Sequence, residues 1–371
     1  MGEKKLKVAL VQDWLVKFGG AEWTLLNWHR IFPDAPLYTL VYDEEKMGAV
    51  FKDFDIRTTY LQKLPMVTKY YQALLPLMPG AWERLDLTEY DLILSSCSSC
   101  CKGIITRPDA VHICYCHTPT RYFWDLFYEY RNESGWLKKI VMPPLIHKLR
   151  MWDRLAADRV DYFIANSKFT QQRIKKYYRR ESDVIYSVGG NFVPEEMYSN
   201  TEKEDFYLTT GRLIGYKRFD LAIEACNRLG KRLVIIGTGN EEENLKKIAG
   251  PTIEFKGYCS NEEVLEYYAK AKAFLFPGLE DFGFTPVEAQ SGGTPVLAYG
   301  KGGALETVLD GKTGLFFEEQ TVESLVECIQ KFEMNAVEYS SSQIREFANG
   351  FSAEVFRKQI YDYCMEKSQK I

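Results

Sequence analysis

Two carboxylates, Glu280 and Glu288, stand with seven residues between them in FPGLEDFGFTPVEAQSGGTPV, the stretch from Phe276 to Val296. Between them Phe282, Gly283 and Phe284 form a turn signal that leads into a helix start. Glycine lets backbone come close to a ligand. A helix start points unpaired N–H groups and a positive dipole end at whatever precedes it. Two acids framing such a loop have the chemistry to grip the hydroxyls of a sugar. The same residues also have a structural reading. Thr285, Pro286 and Glu288 fit N-cap, N1 and N3, so Glu288 closes a capping box with Thr285 and Glu280 is a solvated acid before a helix.

Cations follow a strand signal in Gly211-Arg212-Leu213-Ile214-Gly215-Tyr216-Lys217-Arg218. Arg212 offers a planar fork and Lys217 a point charge, both suited to phosphate; a basic solvated loop is the alternative. Gly19 and Gly20, in Phe18-Gly19-Gly20-Ala21-Glu22, follow the first strand signal. Their backbone N–H groups either cradle a diphosphate at a helix N-terminus or make a tight βα turn. Gly237-Thr238-Gly239 and Gly257-Tyr258 close two more strands. His117, in Cys116-His117-Thr118-Pro119, sits at a strand end, placed for ligand contact or held as a structural histidine.

Cys97, Cys100, Cys101, Cys114 and Cys116, with His117, have spacings that invite a zinc site. Cys114 and Cys116 lie in an apolar strand, where cysteine behaves as a small hydrophobe, and the sequence favours packing. No metal site is expected. The stretch from Tyr60 to Trp82 is apolar and aromatic with Lys63 and Lys69 as its charges, so it packs helix faces or meets a lipid surface. Gly-x-Gly-x-x-Gly and the Walker loop are absent, which weakens a dinucleotide oxidoreductase and a P-loop enzyme.

The elements that must position these groups alternate strand and helix. Leu6–Gln12, Pro36–Tyr42, Tyr90–Ser95, Val111–Cys116, Tyr162–Ala165 and Asp183–Tyr186 read as strands, with Ala21–Arg30 helical and a helix over Lys138–Arg159 broken at Pro143-Pro144. The rhythm restarts with strands at Phe206–Thr210, Arg232–Ile236, Ile253–Lys256, Ala273–Phe276 and Pro295–Ala298, and a helix at Arg218–Arg228. The predicted fold class is α/β: two doubly wound, Rossmann-like halves facing a cleft. The predicted division is 1–186, a linker 187–204, 205–350, and a helix 351–371 that returns to the first half.

The 371 residues suit two domains, and 46% apolar with 26% charged residues is ordinary for a globular chain. A net charge of −4 gives no support to nucleic-acid binding. The apolar run Val8–Val11 is too short for a signal core, so a cytoplasmic protein with nine reduced cysteines is expected, at most peripheral to the inner face of a membrane.

Together these motifs resemble the GT-B retaining glycosyltransferases of family 4, group 1. The resemblance rests on Glu280 and Glu288 in their loop, Gly211-Arg212-Leu213, Lys217, Gly237-Thr238-Gly239, and Lys301-Gly302-Gly303-Ala304-Leu305-Glu306 before Gly311-Lys312-Thr313-Gly314. In the first half it rests on Phe18–Glu22, CHTPTRYFWD and FIANSKFT, and CHTPTRYFWD looks closest to bacterial mannosyltransferases of O-antigen and capsule assembly. The resemblance implies a nucleoside diphosphate sugar as donor, GDP-mannose favoured, a saccharide or lipid-linked saccharide as acceptor, and no cofactor. It implies that Glu280, with backbone N–H groups near Phe282, Gly283 and Phe284, contacts the donor sugar, and that Glu288 holds the ribose. Arg212 and Lys217 then neutralise the diphosphate, Gly19 and Gly20 approach it, His117 sits near the sugar C6 hydroxyl, and backbone at Gly257 and Tyr258 meets the base. Two departures stand out: Ser187-Val188-Gly189-Gly190-Asn191 replaces a Pro-rich, Asp-containing hinge, and Gly237-Thr238-Gly239-Asn240 replaces Gly-Asp-Gly-Pro. A nucleotide-sugar-binding scaffold with a decayed site is the alternative from another class.

Overall fold

The computed structural model describes residues 6–132, 135–188, 190–199, 201–335 and 339–369. The chain forms two compact units, one running to Tyr186 and resuming at Phe356, the other spanning Ser187–Val355.

The first unit carries a parallel sheet of seven strands: β1 Val8–Gln12, β2 Leu37–Thr39, β3 Ile56–Thr58, β4 Leu92–Cys97, β5 Val111–Cys116, β6 Tyr162–Ala165 and β7 Asp183–Val184. Their order is β3-β2-β1-β4-β5-β6-β7. The runs VALVQ, LILSSC and VHICYC are buried throughout, as parallel strands covered on both faces must be. The C-terminal helix Ala353–Ser368 completes this unit, Arg357 Nη1 donating to Asn27 Oδ1 at 2.9 Å and Tyr363 Oη to Asp183 Oδ2 at 2.8 Å.

The second unit is a parallel sheet of six: β8 Tyr207–Thr210, β9 Leu233–Ile236, β10 Ile253–Gly257, β11 Ala273–Phe276, β12 Val296–Tyr299 and β13 Gly314–Phe317. Their order, β10-β9-β8-β11-β12-β13, reverses direction between β8 and β11. In an open parallel sheet the loops leaving the strands at such a reversal diverge and leave room for a ligand at the carboxyl edge. Gly211–Lys217 leaves β8 there and Gly278–Gly283 leaves β11.

Several expectations change. Pro143 and Pro144 do not break their helix, which runs unbroken over Trp136–Asp158. The carbonyls they leave unpaired belong to Lys139 and the exposed Ile140, within reach of water, so little is lost. The strand read over Pro36–Tyr42 shrinks to Leu37–Thr39, with Tyr42 kept only as an isolated bridge to Leu15. β3 and β13 were not legible as strands. The stretch 187–204, linker-like in composition, is held to the second unit: Val193 N–H donates to Ser291 Oγ at 2.9 Å, and Lys203 Nζ to Ala269 O at 2.7 Å. Of the atypical hinge, Gly189 lies outside the described residues.

Candidate active site

The loop after β8 is built by close backbone approach. Gly237, ending β9, has φ 136°, and a Cβ there would lie 1.9 Å from the carbonyl oxygen of Gly211. Gly211 N–H in turn donates to Ile236 O at 2.9 Å, and Leu213 N–H to Thr238 O at 3.0 Å. The three strand ends β8, β9 and β10 are thereby stitched edge to edge, with Gly237 N–H donating to Gly257 O at 2.8 Å. Tyr258, the next residue, is exposed.

Lys217 folds back over this edge. A Cβ on Gly211 would lie 3.0 Å from Lys217 Nζ, so glycine makes the room. The ammonium reaches across to the loop after β11, where Nζ lies 2.6 Å from Glu280 Oε1, off the axis of a hydrogen bond. The two side chains are only 14% and 17% exposed. Arg212, beside Gly211, is exposed, and its side chain makes no hydrogen bond or ion pair among the described residues.

Glu288 is not in a capping box. The helix it belongs to begins at Phe284 with Gly283 as N-cap, and that cap has no side chain to accept a bond. Gly283 takes φ 89°, ψ 78°, and this left-handed turn moves the helix start ahead of Thr285. Glu288 is thereby released inward. Its Oε2 accepts from Tyr268 Oη at 3.0 Å and its Oε1 from Asn191 N–H at 3.3 Å. Thr210 Oγ1, at the end of β8, lies 2.8 Å from the same Tyr268 hydroxyl. Burial raises the Glu288 carboxyl above the ordinary carboxylate range, while Tyr268, the Asn191 N–H and the Lys217 charge pull it back. One lysine therefore acts on both acids. Phe282 is buried against Phe284 and Phe351, so its ring packs in the unit and is not offered to a ligand.

Sequence reasoning missed Tyr268 and Asn191. Tyr268 sits in the helix Asn261–Lys270, and Asn191 acts through its backbone N–H, so neither carries a spacing signal.

In the first unit the helix Gly20–Ile31 starts directly on the glycine pair, with Gly19 as N-cap and no side-chain cap. Glu22, at N3, turns its carboxylate back to the Gly19 N–H and takes Gln12 Nε2 at 3.3 Å. This is half of a capping box. Burial pushes the Glu22 carboxyl up to about 7. His117 is buried at the end of β5, its Nε2 2.8 Å from Ser96 Oγ.

Cys97, Cys100, Cys101, Cys114 and Cys116 are free thiols in the core. Asp13, Cys97 and Cys101 bring potential ligand atoms together. Asp13, however, is already engaged: Oδ2 accepts from the N–H groups of Ser98 and Ser99, both at 2.7 Å, and Oδ1 from those of Cys100 and Cys101, both at 2.8 Å. The carboxylate fastens the loop after β4.

Known proteins decide the family. "Glycosyltransferase Family 4" matches residues 18–187, and "Glycosyl transferases group 1" matches residues 195–349. The chain belongs to the group 1, family 4 glycosyltransferases. This glycosyltransferase is 26% identical over 315 residues to the alpha-1,3/1,6-mannosyltransferase ALG2 of Mus musculus, covering 74% of the chain and 73% of that protein. It is 25% identical over 229 residues to the uncharacterized glycosyltransferase MJ1178 of Methanocaldococcus jannaschii, covering 60% of the chain and 62% of the archaeal protein, less than two thirds of its length. A GDP-mannose-dependent alpha-(1-6)-phosphatidylinositol monomannoside mannosyltransferase of Mycobacterium tuberculosis is 30% identical over 136 residues, 32% of the chain and 35% of that enzyme. The fold is GT-B: Anabaena HepE, solved in complex with UDP, superposes with a TM-score of 0.70 at 17% identity, over 97% of this chain and 100% of that one. Among the described residues no helix is long and apolar enough to cross a membrane.

Proposed function

We propose that this glycosyltransferase moves mannose from GDP-mannose onto a saccharide or lipid-linked saccharide, with retention at C1 and without a metal. The observation that carries the reading is the convergence of Lys217, Glu280 and Glu288 at the carboxyl edge where β8 and β11 part. GDP-mannose is favoured because one relative is a GDP-mannose-dependent mannosyltransferase and another a mannosyltransferase.

In this reading Lys217 leaves Glu280 for the donor diphosphate. A phosphate oxygen offers the ammonium a charge-assisted bond in place of its 2.6 Å contact with Glu280. Glu280 is then free to accept from sugar hydroxyls, with the N–H groups of the Phe282–Phe284 turn beside it. Glu288, already gripped by Tyr268 and Asn191, takes the ribose hydroxyls. Arg212 joins Lys217 as charge builds on the leaving diphosphate, which makes a metal unnecessary. The bond from C1 to the diphosphate oxygen breaks, and the acceptor oxygen bonds to C1 on the same face. The acceptor proton passes to a leaving phosphate oxygen. Gly19 and Gly20 toward the diphosphate, and His117 toward the sugar C6 hydroxyl, are assigned by the family pattern.

The test is turnover with GDP-mannose, UDP-glucose and ADP-glucose, followed by NMR of the product anomer. Transfer from GDP-mannose with an axial product supports the reading. An inverted product, or transfer confined to the UDP donor, overturns the corresponding part.

A further inference from the structure

Two helices of the second unit end side by side. The helix Asn261–Lys270 carries Tyr268 in its last turn, and the helix Phe284–Ser291 carries Glu288. A Cβ on Gly292, the C-cap of the second helix, would lie 2.9 Å from the carbonyl oxygen of Tyr268, so backbone meets backbone there. The last carbonyls of a helix have no partner within it and carry the negative end of its dipole. Two such ends pressed together favour a cation between them.

Lys203 supplies that cation. Its Nζ donates to Ala269 O at 2.7 Å, to Gly292 O at 3.1 Å and to Thr294 Oγ1 at 2.5 Å. The Thr294 hydroxyl in turn donates to Tyr268 O at 2.5 Å. An ammonium has three protons, and each finds an acceptor on a different strut of the junction. None of the acceptors is a carboxylate, and Lys203 makes no ion pair among the described residues. Its stem lies at the surface while its head turns inward. The stretch 187–204, to which Lys203 belongs, also places Asn191 N–H on Glu288 Oε1 and Val193 N–H on Ser291 Oγ. One stretch of chain therefore holds the pair of helices both at Glu288 and at their ends.

We propose that Lys203 is a positioning residue for the donor ribose: it ties the two helix ends together, keeps Tyr268 and Glu288 aligned, and so sets how strongly the site selects a ribose with its hydroxyls. The inference rests on the reading that Glu288 takes the ribose. A hydrogen bond weakens steeply once its partners slide out of line, so the 3.0 Å bond from Tyr268 to Glu288 depends on how the helices cross. Lys217 and Arg212 sit on the loop after β8, whose backbone is bonded to Ile236 and Thr238, and do not depend on Lys203.

The test is calorimetric titration of wild type and Lys203→Met with GDP, with the GDP analogue that lacks both ribose hydroxyls, and with inorganic pyrophosphate. It is run at about pH 6, because desolvation and the charge of Arg345 lower the Lys203 ammonium to a pKa of about 7. Methionine keeps the stem and removes the charge. The expected result is that wild type prefers GDP to the analogue by about tenfold or more, that the variant loses most of that preference, and that pyrophosphate binds both proteins within about twofold. A merely structural role would weaken all three ligands together, and that result overturns the proposal. If Lys203→Met does not fold, Thr294→Val, which removes the hydroxyl between Lys203 and Tyr268, carries the same expectation. A preference for GDP that the variant keeps overturns this inference alone and leaves the functional reading standing. Wild type that binds GDP no better than the analogue overturns the ribose assignment of Glu288 and this inference with it.

Discussion

Tyr268 Oη donates to Glu288 Oε2 across 3.0 Å, linking a helix that follows β10 to the helix that follows β11. The bond replaces the cap that the sequence suggested for Glu288 and leaves a carboxylate held inward at an energetic cost. A carboxyl raised by burial contributes stability that is full below its ordinary value of 4.5 and is lost as pH rises through its value in the folded chain. Glu288→Gln therefore leaves the chain as stable as wild type or more so at neutral pH. The same substitution weakens GDP binding by about tenfold or more, through loss of a charge-assisted bond to ribose. Thermal melting beside calorimetry checks both; a variant that melts lower and binds GDP normally contradicts the assignment.

Lys217→Ala and Arg212→Ala each lower turnover by about two to three orders of magnitude, the usual effect of removing one donor to developing charge. The two are distinguishable in the unliganded chain. Lys217→Ala strands Glu280, whereas Arg212 is exposed, so only the first shifts the melting temperature. Steady-state kinetics with thermal denaturation tests this, and losses below tenfold in both variants contradict it.

Glu22 gives the first unit a pH dependence. Its carboxyl is raised to about 7 against an ordinary 4.5, so its contribution is present below the lower value and lost as pH rises through about 7. The loss amounts to about 3 kcal/mol, because each tenfold change in proton affinity is worth about 1.4 kcal/mol. Urea unfolding between pH 5 and pH 8 shows this fall in wild type, and Glu22→Gln flattens it. An unchanged slope in the variant assigns the dependence elsewhere.

Gly237→Ala destabilises the second unit by about 3 kcal/mol, since a Cβ there meets the Gly211 carbonyl and its backbone angle is strained for any L side chain. The stitched edge of β8 and β9 opens, and GDP binding falls with it. Denaturant titration checks the first effect and calorimetry the second. A stable variant contradicts the account of how Arg212 and Lys217 are positioned.

Much of this architecture was legible because its signals are local. The buried runs at β1, β5 and β11 announce parallel strands by composition alone. The glycines at 211, 237 and 283 mark places where backbone must pass backbone. β3 and β13 escaped because a short strand leaves little pattern to read. The Pro143-Pro144 helix escaped because the penalty for proline depends on whether the freed carbonyls meet water, which the sequence does not record. Glu280 and Lys217 were legible as residues but not as a contact, since their meeting depends on β8 and β11 being neighbours. Only the capping-box alternative for Glu288 fails, and for the same reason: Thr285 and Glu288 satisfy a local rule, and a left-handed Gly283 overrides it from just upstream.

The most direct measurement is calorimetric titration of the full chain with GDP and with GDP-mannose, for wild type and for Lys217→Ala. The account predicts saturable binding of both ligands by wild type, and binding weakened by about two orders of magnitude in the variant. No binding by wild type, or equal affinity in the two proteins, would contradict the claim that Lys217 exchanges Glu280 for a donor diphosphate.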